Sequence, residues 1–140
     1  MALLIDTSVF IQVERQSGLV SDIGRLVPDA VHALSSVTAF KLLFGVHRAT
    51  RTHRARREAF VERALAAIPV MPFDLAAARI YASVWETLRS QGQIIGSQDL
   101  MIAATALAHG YEVLTENRRD FDRVPGLIIR QPIWPAEPAT

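Results

Sequence analysis

The chain has 140 residues, half of them hydrophobic, and balances 15 basic against 14 acidic side chains for a formal charge of +1. That length suits one compact domain burying roughly 70% of its unfolded surface, and the plentiful, evenly spread charge excludes wholesale disorder. No apolar run approaches the ~20 residues of a membrane span. The N-terminus carries neither the basic flank nor the cleavage site of a secretory signal, and the lack of cysteine removes disulfides, thiolate metal sites and thiol nucleophiles. The expectation is a soluble cytoplasmic domain with no membrane partner. Fourteen of the basic residues are arginine; Lys41 is the only lysine.

Strand-like and helix-like segments alternate. Ala2–Ile5 is a short apolar run, read as a buried strand that ends at Asp6. Residues 7–15 predict a helix, and 19–27 a shorter one before the Pro28–Asp29 break. A strand over 31–34 comes next. Within 37–49 the apolar residues at 37, 40, 42, 43 and 46 recur at helical spacing, and 54–67 forms a further helix stopped by Pro69. A short strand at 70–71 leads to a long helix over 74–91, with Asp74 as N-cap and Gly92 as its stop. Ser97 is placed as the cap of a helix over 98–109, closed by Gly110, a favoured residue just past a helix end. Strands over 112–115 and 127–129 complete the set, and Pro132, Pro135 and Pro138 mark an irregular tail. The chain divides into a domain over 1–131 and a Pro-rich tail over 132–140.

Short apolar strands separated by helices imply a central, mostly parallel sheet covered on both faces, an α/β fold of three layers. In such sheets ligands bind beyond the carboxyl ends of the strands. The polar residues at those ends are the candidates: Asp6 after the first strand, Ser35–Lys41 after the second, and Asn117 and Asp120 after the fourth. Asp99 joins them. It stands in the first turn of an apolar helix, where an unpaired carboxylate is costly, and neither the helix dipole alone nor its neighbours supply a partner.

Each candidate has an ordinary alternative. Asp6 is a suitable N-cap for the next helix, and Asp120, among Arg118, Arg119 and Arg123, fits a solvated ion-pair face. Other chemistries fare badly. There is no glycine-rich dinucleotide loop or Walker loop, the four histidines lack zinc spacing, and no serine sits in a nucleophile elbow. What remains is a set of dispersed carboxylates suited to Mg²⁺ or Mn²⁺ held with water. The segment HRATRTHRARR, with Arg48, Arg51 and Arg54, reads as a solvated face, as a phosphate-tracking strip for RNA, or as a seat for an acidic partner.

At this point the chain resembles the PIN-domain ribonucleases, in particular the VapC-type toxins of bacterial toxin–antitoxin pairs. The matching pieces are LLIDTSVFI, SSVTAFKLLFGVHRA, the stretch from PVMPFDLAAARIY through SQDLMIAATALAHG, and VLTENRRDFDRVPGLII. The resemblance implies an α/β/α PIN-like fold, a homodimer, a small antitoxin that blocks the active site, and metal-dependent endonucleolytic cleavage of structured RNA such as tRNA or rRNA. It implies Mg²⁺ or Mn²⁺ ligands at Asp6 and Asp99 and a further site residue at Asn117 or Asp120, with Thr7 and Thr115 as hydrogen-bonding residues nearby that could also meet RNA.

The chain departs from the family at one position. In the pattern S-x-x-T-x-x-E-L-x-x-G this sequence has Ser35, Thr38, Leu42 and Gly45 in place, but Lys41 stands where the family has glutamate. An ammonium ~5 Å from a divalent ion would repel it by several kcal/mol at an effective dielectric near 20. Lys41 is expected to swing toward Asp6 or Asp99 as a tethered counter-ion, so that the chain folds but is catalytically impaired. The spacing Thr38 to Lys41 also reads as a capping box with a base in the acid's place. The competing reading is a non-catalytic PIN module that binds RNA or an antitoxin without cutting.

Overall fold

The computed structural model describes residues 1–135; the end of the expected tail, 136–140 with Pro138, lies outside the described residues. The elements in chain order are β1 (Ala2–Ile5), α1 (Thr7–Gln16), a 3₁₀ turn (Val20–Asp22), α2 (Ile23–Leu26), β2 (Val31–Ser35), α3 (Ser36–Arg48), α4 (Arg51–Ala67), β3 (Val70–Met71), α5 (Leu75–Ser90), α6 (Ser97–His109), β4 (Glu112–Leu114), α7 (Arg118–Phe121) and β5 (Ile129–Arg130).

The strands form one sheet in the order β3-β2-β1-β4-β5, and every pairing is parallel. β1 lies at the centre, with Leu4 in register with Ala33 of β2 and Val113 of β4. Successive side chains of a strand point to opposite faces, and β1 divides accordingly. Leu3 and Ile5 enter one core with Val9, Phe10 and Val13 of α1, Leu42 and Val46 of α3, and Phe60, Val61 and Ala64 of α4. Leu4 enters the other, with Val84 and Leu88 of α5 and Ile102, Ala103 and Ala106 of α6. A strand buried on both faces reads as an unbroken apolar run, which is why ALLI has no polar alternation. The expected three layers are present.

Chain order reverses between β1 and β4. The connections from β1 build the sheet outward through β2 and β3, and the chain then returns to the other side of β1. At such a switch point the loops after two neighbouring strands part and leave a crevice. Asp6 and Thr115 stand there, directly after β1 and β4.

Several boundaries differ from the sequence expectation for local reasons. Residues 19–27 break into a 3₁₀ turn and the single turn of α2. Gly96, not Ser97, is the N-cap residue of α6. The last strand starts at Ile129 because the Pro125–Gly126 turn, with Gly126 at φ 78° and Leu127 N–H donating to the Val124 carbonyl, consumes Leu127. α4 begins at Arg51, three residues early, after a short break at Ala49–Thr50. Asp74 caps α5 as expected, its side chain accepting from Ala77 N–H at 3.0 Å. Gly110 takes the left-handed conformation at the end of α6, φ 74°. Past β5 the chain has no regular structure through Pro135, yet Trp134 packs against the core beneath α1.

Candidate active site

Asp6 is the N-cap residue of α1 by position, but its side chain makes no capping hydrogen bond. The residue is only 3% exposed, and its carboxylate is committed elsewhere. The Ser8 and Thr115 hydroxyls both donate to Asp6 Oδ2 at 2.8 Å. Each hydroxyl in turn accepts a backbone N–H from the loop after β4, Ser8 from Glu116 at 3.1 Å and Thr115 from Asn117 at 2.8 Å. A hydroxyl has one proton to give, and these amides leave both protons free for Asp6. The second oxygen, Oδ1, is buried and has no hydrogen-bond partner among the described residues. An orphaned buried carboxylate oxygen is costly, and a cation is the partner that would satisfy it.

Asp99 stands at the third position of α6. Its carboxyl is held above the ordinary carboxylate range, first by burial, then by the negative charge of Asp6; Lys41 opposes the shift and Asp120 adds to it. These through-space effects bring Asp6, Asp99, Asp120 and Lys41 into one electrostatic neighbourhood from four separate elements. Asn117 Nδ2 donates to Asp120 Oδ2 at 3.1 Å, so the two candidates for the last site residue form a pair.

Lys41 is half-buried on α3. It lines a cleft of about 250 Å³ with Gly96, Ser97, Gln98 and Asp99, and a neighbouring one of about 190 Å³ whose walls include Thr7, Arg15 and Arg57. Among the described residues no carboxylate comes within 4.0 Å of its amine. The expected direct counter-ion contact with Asp6 or Asp99 is therefore absent, and Lys41 acts on Asp99 through space. The capping-box reading also needs correction. Ser35 is the N-cap, its hydroxyl accepting from Thr38 N–H at 2.9 Å, and α3 begins at Ser36. Lys41 thus falls in the second turn, outside the reach of the helix-end dipole.

Thr7 does not reach Asp6; its hydroxyl donates to Thr38 Oγ1 at 3.3 Å. With Ser35, which donates to the same oxygen at 3.2 Å, it forms a buried hydroxyl link between the starts of α1 and α3. Thr7 and Thr115 are both buried, and their hydroxyls are spent inside the protein rather than presented to a ligand. Of the arginines, Arg54 donates to the Ala49 and His47 carbonyls at 3.2 and 3.4 Å and so secures the end of α3. Arg48 lies over the Phe44 ring, 5.8 Å from its centroid, and Arg51 is exposed. Ser8 is the site residue that sequence reasoning missed. Its only sequence signal is its place two residues after the strand-end aspartate.

Among the described residues no three His, Asp or Glu side chains cluster closely enough to cage a metal ion. Asp6 has a buried oxygen without a partner, and Asp99, within electrostatic reach of it, lines the cleft of about 250 Å³. Mg²⁺ is commonly held by one or two carboxylates with water and substrate phosphates making up the rest, so the donor set fits an open site.

The model of the PIN domain family matches residues 3–127, and the chain belongs to that family. Ribonuclease VapC1 of Rickettsia felis is 37% identical over 128 residues, covering 91% of this chain and 93% of that protein. The tRNA(fMet)-specific endonuclease VapC of Shigella flexneri is 38% identical over 96 residues, 67% of this chain and 70% of its own length. Among solved structures, the toxin–antitoxin complex VapBC-5 from Mycobacterium tuberculosis matches with a TM-score of 0.73 at 32% identity, covering 93% of this chain and 96% of that one. DNA-bound VapBC from Salmonella typhimurium matches with a TM-score of 0.82 at 26% identity, covering 94% and 98%. Within the family the chain stands in the VapC branch.

Proposed function

We propose that this chain is the toxin of a toxin–antitoxin pair, built as a metal-dependent endoribonuclease and catalytically impaired by Lys41. The observation that carries the reading is the crevice itself: a buried aspartate with one oxygen locked by two hydroxyls and the other free, beside a carboxyl pushed up by burial and by its neighbour's charge. Asp6 and Asp99 are the residues that would hold Mg²⁺ or Mn²⁺. When bound, such an ion supplies an activated water and stabilises charge on a phosphoryl group.

The chain's own residues do the rest. Ser8 and Thr115 fix the orientation of Asp6 through Oδ2 and leave Oδ1 without a protein partner. Asn117 holds Asp120, whose charge reaches Asp99. In-line attack of water on an RNA phosphodiester would leave a 5′-phosphate and a 3′-hydroxyl. The substrate is structured RNA, tRNA or rRNA; the naming of the Shigella flexneri relative as a tRNA(fMet)-specific endonuclease supports this. A VapB-like antitoxin is the protein partner, supported by the VapBC complexes among the structural relatives. The exposed Phe40, Leu43 and Phe44 on α3 support docking of such a partner, and the exposed Leu75 and Trp85 on α5 support pairing of two copies.

Lys41 puts an ammonium at the mouth of this crevice, where the family has a carboxylate. It lowers the local negative charge that would attract a divalent ion, and it removes one oxygen donor. The second reading, a module that binds RNA or antitoxin without cutting, is favoured by this one residue. The test is cleavage of a broad RNA panel with Mn²⁺ by the chain and by its Lys41→Glu variant. The proposal expects cleavage only by the variant. A variant that remains inert while folded supports the non-catalytic module, and strong cleavage by the unaltered chain refutes the impairment.

A further inference from the structure

The loop that locks Asp6 is itself held from outside. Beyond β5, Gln131–Pro135 runs as an irregular strap over the C-terminal half of α1, where Ile133, Trp134 and Pro135 line a cavity of about 230 Å³ with Val13 of α1 and Leu26 of α2. The Trp134 ring packs against the core, and its indole Nε1–H donates to Glu116 Oε1. Glu116 is the residue whose backbone N–H is accepted by the Ser8 hydroxyl, between Thr115 and Asn117. A continuous chain of contacts thus runs from the strap through Glu116 and Ser8 to Asp6 Oδ2.

We propose that Trp134 is a positioning residue for the candidate active site: by holding the Glu116 side chain it pins the 115–117 loop, and so keeps the Ser8 and Thr115 protons aimed at Asp6. The bond between Trp134 and Glu116 is the sole side-chain tie from the strap to this loop among the described residues. Thr115 is separately fixed by its N–H to the Arg130 carbonyl at 3.0 Å, so the effect falls on Glu116 and Asn117 rather than on the sheet. The inference rests on Asp6 being a functional carboxylate, but its test is read on the unaltered chain whether or not that chain binds metal.

The experiment is amide hydrogen exchange and the Asp6 carboxyl ¹³C resonance at neutral pH, measured by NMR. Trp134→Phe keeps an aromatic ring on the core and removes the donor. It should accelerate exchange at Glu116 and Asn117 by roughly three- to tenfold, the loss of about one net hydrogen bond, and shift the Asp6 resonance. Glu116→Ala should do the same, the double variant should add nothing, and Glu116→Gln, which keeps the acceptor oxygen, should stay at the parental rates. Unchanged Glu116 and Asn117 rates in Trp134→Phe, a stationary Asp6 resonance, an equal acceleration at Leu4 and Val113, or an additive double variant would each overturn the proposal. Failure of Lys41→Glu to cut RNA would leave these readings intact and count only against the nuclease.

Discussion

Thr115→Val isolates the hydrogen bond on which the geometry of Asp6 depends. The substitution keeps the branched shape and removes one oxygen. In the parent that oxygen donates to Asp6 Oδ2 at 2.8 Å and accepts Asn117 N–H at 2.8 Å, within a residue of 0% exposure. A hydrogen bond to a charged acceptor contributes about 1.5–3 kcal/mol, whereas the exposed Asn117 amide recovers most of its loss from water. The expected cost is about 2 kcal/mol. With a urea slope near 2 kcal/mol/M for a domain of this size, the unfolding midpoint should fall by about 1 M. In an Asp6→Asn background the acceptor is neutral, and the same change should cost roughly half as much. Equal losses in both backgrounds, or a shift below about 0.2 M in the parent, would show that Thr115 does not hold a charged Asp6.

Asp99 gives a pH signature. Its carboxyl is raised in the folded protein above the ordinary value of 3.8, so the folded state retains a proton that the unfolded chain has already released, and stability falls as pH climbs from that value through the raised one. Asp99→Asn should remove this fall, leaving the variant more stable than the parent at pH 7 and close to it below pH 3.8 in pH-dependent urea unfolding. Lys41→Met removes a charge that lowers the Asp99 value, so ¹³C titration should find Asp99 higher still. Arg54→Ala should lower stability by about 0.5–1.5 kcal/mol in thermal unfolding, through the freed carbonyls at the end of α3. Arg51→Ala should leave stability within about 0.5 kcal/mol of the parent, so any loss of RNA affinity in a filter-binding assay would then report on contact with RNA.

The sheet was legible because each central strand is short, apolar and followed by a polar residue, and because Asp74 and Gly110 mark helix ends by chemistry that acts within four residues. The convergence of Asp6, Asp99 and Asp120 was legible only through parallel topology and family resemblance. The tie from Ser8 to the loop after β4 was not, since Glu116 lies more than a hundred residues away. Lys41 was placed in a first helical turn because Thr38 has the right chemistry for a cap. Ser35, three residues earlier, has it too, and the strand end at Ser35 decides between them. Arg54 looked like free charge because the carbonyls it binds lie outside its own helix, at His47 in the last turn of α3 and at Ala49 in the break that follows. Trp134 sat in a proline-rich tail, and its packing against the core depends on the path of β5.

Calorimetric titration of Mn²⁺ into the chain and into Lys41→Glu bears most directly on the crevice as a cation site spoiled by one amine. Binding in the variant at least a hundredfold tighter than in the parent, abolished by Asp6→Asn, is the predicted result; a change of two charge units at the mouth of a half-buried site corresponds to roughly 3 kcal/mol or more. Equal Mn²⁺ affinity in the two proteins, or binding that survives Asp6→Asn, would contradict it.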